Sequence, residues 1–263
     1  METAQDCVQL TLENGIACIA LNRPARRNAI NGAVHARFRE ILALLESNAD
    51  VRAVIISGNG GSFCSGQDLA ERAVMLDAGE VDLQSSLREH YNPLIRRLAA
   101  LPVPVIAAVN GVASGAGAAL ALTADLVLMA RSAALQLAFV RVALGPDSGI
   151  SWLLPRLVGQ ARALGMALAG EMIDAARAEQ WGLVWRVVDD EVLMTEAETL
   201  ARQLASGPRA ALAAIKYRLR AAAGETLDAA LDAEAVMQGQ LGRGNDYREA
   251  VEAFIGKRPP RFA

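Results

Sequence analysis

The sequence predicts an α/β fold, and three observations carry the prediction. Short apolar runs rich in β-branched residues alternate with stretches of helical spacing through the first part of the 263-residue chain. Two of these runs, Val51 to Ile56 and Val103 to Val109, lead straight into glycine-rich segments, Gly58 to Asp68 (GNGGSFCSGQD) and Asn110 to Gly117 (NGVASGAG). From Asp174 onward strand signals nearly vanish and helical patterns take over.

The elements follow in order. Val8 to Leu12 and Ile16 to Leu21 flank Glu13-Asn14-Gly15, and an Asn-Gly pair between β-prone runs predicts an antiparallel hairpin. Asn31 to Glu46 sets Val34, Phe38, Ile41, Leu42 and Leu45 at helical spacing ahead of the Val51 strand. Asp68-Leu69-Ala70-Glu71 reads as a capping box opening a helix that Gly79 ends. A further helix covers about Val81 to Ala100, where Pro93 either kinks it or starts it afresh. Gly117 to Leu122 reads as a buried helix, and Leu126 to Met129 and Leu135 to Leu137 as strands. Helices are predicted at Gly149 to Leu157, Ala175 to Gly182, Glu191 to Ser206, Pro208 to Ala223, Thr226 to Leu241 and Asp246 to Gly256. This divides the chain into an α/β core, residues 1–195, and a helical region, residues 196–263. The alanine-rich amphipathic helices of that second part offer apolar surface for assembly between copies.

Composition narrows the function. Aromatic residues are only 4% and the formal net charge is -3, which argues against a base-stacking or phosphate-binding face and so against nucleic acid. Cys7, Cys18 and Cys64 match no metal or redox spacing, and a reduced cytoplasmic setting is expected. The start METAQDC has no apolar core, so no export is expected. No charge occurs between Arg97 and Asp125, a span long enough to cross a bilayer. Pro102, Pro104, Asn110, Gly111, Ser114 and Gly115 break it, so no membrane association is expected.

The glycine segments carry the chemistry. A strand that ends in a glycine loop and opens a helix exposes backbone N–H groups to an anion, and two such loops converging on one atom would make an oxyanion hole. Gly66 can take the left-handed conformation that turns the Gln67 N–H outward, with Asp68 capping the helix behind it. Taken alone, this segment fits a structural turn better than a catalytic loop. Cys64 has no histidine near it in sequence to make it a nucleophile. Gly115-Ala116-Gly117 starts like a dinucleotide fingerprint, but Leu120 stands where the third glycine belongs. What remains is a helix start with the Ala116 N–H available. In Gly145-Pro146-Asp147-Ser148-Gly149, local sequence favours Asp147 as a helix N-cap. The other reading makes it a general base, its pKa raised by burial.

Together, Leu21-Asn22-Arg23-Pro24, FCSGQDL, NGVASGAG and the closing DYREAVEAFIGKRPPRF resemble the enoyl-CoA hydratase/isomerase (crotonase) superfamily over nearly the whole chain. Tyr91-Asn92-Pro93-Leu94, Arg96-Arg97-Leu98, Gly66-Gln67-Asp68, Pro146-Asp147 and Trp152-Leu153-Leu154-Pro155-Arg156 look most like its ring 1,2-epoxyphenylacetyl-CoA isomerases. The resemblance implies a crotonase-like spiral of ββα units with a C-terminal helical region that assembles a homotrimer or a dimer of trimers. It implies an acyl-CoA substrate that brings its own coenzyme A, with no metal and no separate cofactor. The thioester oxygen would be held by the N–H groups of Gln67 and Ala116, within loops that include Cys64, Gly66, Asp68, Leu69 and Gly115. Arg23, Ala25 and Arg26 match the strand end that meets the nucleotide, and Phe254 and Lys257 match positions that reach CoA from a neighbouring subunit. For the basic residues, a solvated surface charge stays an open alternative.

The two glutamates with which hydratases of this family add water fall at Ala119 and Phe139, while Asp147 keeps the carboxylate that isomerases carry. Isomerisation is therefore expected over hydration. Two further readings stay open: aromatic acyl-CoA dehalogenation, which would use Asp147 with His90, and a non-catalytic RNA-binding or scaffold role.

Overall fold

Asn14 and Gly15 both take positive φ, 50° and 77°, as a two-residue hairpin turn requires. Strand β1 (Val8–Glu13) thus folds back on β2 (Ile16–Leu21) in antiparallel register, Val8 opposite Leu21. The computed structural model, which describes residues 7–262, extends this hairpin into a larger sheet. β3 (Ala53–Gly58), β5 (Val105–Val109), β7 (Leu126–Ala130) and β10 (Arg186–Val188) join it in the order β1-β2-β3-β5-β7-β10. Every pairing after the hairpin is parallel. β5 is buried along its whole length, which is why its sequence is continuously apolar instead of alternating.

A second sheet contains β4 (Ser62–Cys64), β6 (Val112–Ser114), β8 (Ala134–Gln136) and β9 (Met172–Asp174), in that order. β3 runs on into β4, β5 into β6 and β7 into β8, so each turn of the chain gives one strand to each sheet. Helices Leu69–Asp77 and Ala116–Thr123 follow the first two turns, completing the spiral of ββα units.

Several expectations need correction. The glycine segments are not loops throughout, since they contain β4 and β6, and β10 lies in a region read as helical. Strands of three residues are too short to display alternation, and β10 pairs only with β7 as the sheet's edge. The capping box closes on one side only. Asp68 accepts from the N–H groups of Ala70 and Glu71, but the Glu71 carboxylate reaches the Gly32 N–H at 3.2 Å, while the Asp68 N–H goes to Ile30 O. Of the two readings for Pro93 the fresh start holds, since helix Asn92–Ala100 begins with it in the first turn. A π-turn, Leu87–Tyr91, widens the backbone just before it, with the Asn92 N–H bonding Leu87 O, and this gives room for a ring that lacks an N–H. Helix Ile150–Ala169 runs past the expected Leu157, broken by Gly159 at φ 78° and ψ 162°.

Helix Leu193–Ala205 lies on the large sheet with Leu193, Ala197 and Ala201 in the core, so residue 195 falls within an element of that core. Helices Arg209–Ala221, Leu227–Leu241 and Asn245–Ile255 bury only Ala253 among the described residues. Asp125, ion-paired to Lys216 at 2.7 Å and Arg220 at 2.8 Å, ties the first of them to the start of β7. Among the described residues, no helix is long and apolar enough to cross a membrane.

Candidate active site

The two glycine segments meet through their backbones. A Cβ at Gly66 would lie 2.7 Å from Ser114 O and 3.3 Å from Ala116 N, and one at Gly117 would overlap the carbonyl of Cys64. Only glycine lets the loops approach this closely. The close approach leaves two donors unused. The Ile30 N–H bonds Gly66 O at 2.7 Å and the Asp68 N–H bonds Ile30 O at 2.9 Å, which passes over the Gln67 N–H between them. Ala116 opens its helix, so its N–H has no acceptor within that helix. Among the described residues neither N–H has a partner in the chain, and both residues line one cavity of about 290 Å³.

A buried ion pair braces the first loop. Arg23 Nη1 donates to Asp68 Oδ2 at 2.9 Å and to Ala29 O at 2.6 Å, with both charged side chains nearly excluded from water. Burial opposes ionisation of Asp68, but the Arg23 hydrogen bond and the helix N–H groups outweigh it and hold the carboxyl below its usual range. Arg23 and Asp68 thus hold the loop instead of lining the cavity. Asn28, which the sequence reading missed, completes the brace: it accepts from the Arg23 N–H and donates to Asn59 O and Ser62 O. Its signal was φ +57°, a conformation asparagine tolerates, and this does not show in one sequence. Cys64 is fully buried and its thiol is pushed up to about 12, so it stays protonated and serves as packing.

Asp147 lines the same cavity. It is not the N-cap that local sequence favours. The helix opens at Ile150 behind Gly149, and Asp147 offers that helix only its backbone carbonyl. The carboxylate is left with one short contact, from Ser148 Oγ at 2.9 Å. Burial raises its pKa and only the Ser148 hydroxyl pulls the other way, which moves the group toward a useful base. Among the described residues it is the only acidic one lining the cavity, and Arg72 is the only basic one.

The cavity thus brings two unpartnered backbone N–H groups and a buried carboxylate together, and comparison with known proteins shows the family. The enoyl-CoA hydratase/isomerase family matches residues 11–263. The chain belongs to this family. It is 48% identical to the 1,2-epoxyphenylacetyl-CoA isomerase of Escherichia coli K12, over 95% of this chain and 96% of that one. A solved structure from Mycobacterium abscessus, assigned to the enoyl-CoA hydratase/isomerases, superposes with a TM-score of 0.94 at 40% identity, covering 97% of this chain and 99% of its own. The enoyl-CoA hydratase of Bacillus anthracis superposes at 0.91 with 30% identity, over 97% and 98%. The fold is the crotonase fold.

Within this enoyl-CoA hydratase/isomerase the remaining sequence-derived positions separate clearly. Gly66, Gln67, Leu69, Gly115, Ala116 and Asp147 line the cavity. Ala25 and Arg26 are exposed on a short turn behind the first loop, which the Ser65 N–H grips through Arg27 O at 3.0 Å. Phe254, 85% exposed, and Lys257 lie away from the cavity of their own chain. Phe139 forms part of the cavity wall, while Ala119 is buried inside its helix. His90 does not reach the cavity. Its ring packs 5.4 Å from His35 and its Nδ1 lies 3.3 Å from Arg39 Nη1.

Two lining residues were not assigned from sequence. Arg72 donates to Ser86 Oγ at 3.1 Å and faces the Gln67 amide, and Tyr91 is buried against the edge of His35 at 4.3 Å. Burial lowers the His35 pKa to about 3, so a neutral imidazole backs the tyrosine. A second chamber of about 260 Å³ adjoins the first, sharing Tyr91, Arg72 and Asp147 and adding Gly145 and Pro146. A larger cavity, about 540 Å³, lies between helices Ile150–Ala169 and Arg209–Ala221. Its one carboxylate, Asp125, is paired with Lys216 and Arg220, and Arg156 lies over the Trp152 ring and donates to Trp152 O, so among the described residues no free acid stands there.

Proposed function

We propose that this protein isomerises acyl-CoA thioesters, moving a double bond from the β,γ to the α,β position with Asp147 as the single base. The carrying observation is that the cavity offers one carboxylate, while Phe139 stands on its wall where a hydratase would hold a glutamate. The N–H groups of Gln67 and Ala116 polarise the thioester carbonyl and hold the enolate oxygen, each such donor contributing about 3–4 kcal/mol. Asp147 takes the proton from the α-carbon and returns it to the γ-carbon, a transfer worth roughly a hundred- to ten-thousandfold.

The preferred substrate class is ring 1,2-epoxyphenylacetyl-CoA, the substrate in the name of the Escherichia coli relative. Its conversion is the same proton shift. The epoxide ring opens to an oxepin by reorganising electron pairs: the bond between the two epoxide carbons breaks and the ring double bonds shift. The oxepin then carries a ring double bond β,γ to the thioester. Loss of the α-proton and return of a proton to the γ-carbon conjugate it with the carbonyl. No atom is gained or lost, which suits a site with one base.

Dehalogenation would need a histidine facing Asp147, and Tyr91 stands there instead. Coenzyme A would arrive with the substrate and meet the rim near Ala25 and Arg26. Assembly as a trimer or dimer of trimers would bring Phe254 and Lys257 of one copy to the cavity of another. Exposed Ile215, Leu219, Leu227 and Val236 give that assembly apolar surface, and light scattering measures it. Three free cysteines fit a cytoplasmic setting.

The test is product identity by mass in water labelled at oxygen with the heavy isotope. Incubating the protein with the epoxide thioester and with a linear 3-enoyl-CoA should give products of unchanged mass. Products heavier by one water would overturn the isomerase reading.

A further inference from the structure

We propose that Tyr91 is a specificity-determining residue, donating its phenolic O–H to an oxygen carried on the β-carbon of the acyl group, as in an oxepin ring. This rests on the isomerase reading above and goes beyond it by saying which acyl groups the site selects.

Tyr91 is 6% exposed and lines both the chamber with the backbone donor pair and the adjoining one. Gln67, Tyr91 and Asp147 line both chambers, while Gly115 and Ala116 line the first alone, so Tyr91 and Asp147 share the junction through which an acyl group held at Gln67 and Ala116 would extend. Among the described residues its hydroxyl bonds to no group of the chain. The π-turn that ends at Tyr91 and the edge of His35 at 4.3 Å fix the ring in place.

Two other donors in that region, the Arg72 guanidinium and the Ser65 hydroxyl, are already engaged, and Ser114 lines only the first chamber, next to Gly115 of the backbone donor segment. The Arg72 guanidinium is shared between Ser86 Oγ and the Gln67 amide, and Ser65 Oγ reaches back to Arg26 O. The nearby walls are Leu83, Leu144 and Phe139, which cannot satisfy an oxygen. Burying an ether oxygen there without a donor would be costly, and an unused phenol is the group that removes the cost. Asp147 nearby, together with burial, holds the phenol in its protonated, donating form.

The experiment compares the full-length wild type with Tyr91→Phe on ring 1,2-epoxyphenylacetyl-CoA and a linear 3-enoyl-CoA. The variant should lower the kcat/KM ratio of the oxygen-bearing over the linear substrate about tenfold. An unchanged ratio would overturn the proposal. A second measurement is independent of folding: a cycloheptatriene thioester with CH₂ in place of the oxepin oxygen should be disfavoured by wild type and lose nothing further in Tyr91→Phe. Additive losses in that comparison would also overturn it. Wild-type turnover of the linear but not the oxygen-bearing substrate would overturn the Tyr91 role and spare the isomerase reading. Turnover of neither would overturn both.

Discussion

The wall of the cavity that would meet the thioester oxygen is made of backbone, Gln67 and Ala116 N–H groups brought together by glycines at 66 and 117, whereas another part of its lining is made of side chains, Asp147, Tyr91 and Phe139. The difference separates what such a site shares across substrates from what selects a reaction. A backbone donor pair polarises any thioester and survives most side-chain changes near it. Exchanging one carboxylate or one phenyl group in the side-chain lining changes which proton moves and whether water can be activated.

Three perturbations sharpen this contrast. Breaking the backbone wall should have the largest effect: Gly117→Ala forces its new methyl into the Cys64 carbonyl and displaces a donor. Steady-state assays should show kcat down about a hundred- to a thousandfold, on linear and oxygen-bearing substrates alike. Acidification tests the side-chain lining. Asp147 must be ionised to accept a proton and burial raises its pKa, so kcat/KM should fall about tenfold per pH unit once pH drops below that raised value. The midpoint should lie above that of an ordinary aspartate.

The smallest effect belongs to the brace behind the backbone wall. Asp68 is held below its usual pKa, so the stability it contributes is present above the unfolded value and is lost as pH falls through the folded one. Asp68→Asn should lower stability at neutral pH by about 2 kcal/mol, and thermal melts should show the gap to wild type closing in acid.

Much of the backbone wall was legible in the sequence because glycine has few uses that demand it. The glycine-rich segments holding Gly66, Gly115 and Gly117 after apolar runs pointed to N–H groups exposed at helix starts, and Asn14-Gly15 announced its hairpin as plainly. Arg23 was harder to place. A basic residue at a strand end reads as a nucleotide contact, and only the fold shows Asp68 drawing it inward. Local sequence favoured Asp147 as an N-cap, because a carboxylate before a helix usually caps it, and the structure gives that helix no side-chain cap. Gly149, in the left-handed conformation, starts the helix without it and frees the side chain for the cavity. Tyr91 comes to the site at the end of a π-turn that leaves no pattern in hydrophobic periodicity, and Arg72 from helix Leu69–Asp77, where a charged residue reads as solvated. Strands of three residues such as β4 and β6 were hidden for a similar reason.

The account stands most directly on the proton transfer by Asp147. Asp147→Asn keeps the shape and the Ser148 contact while removing the base, so turnover of a linear 3-enoyl-CoA should fall at least about a hundredfold, with substrate binding retained. Near-normal turnover in that variant would contradict it.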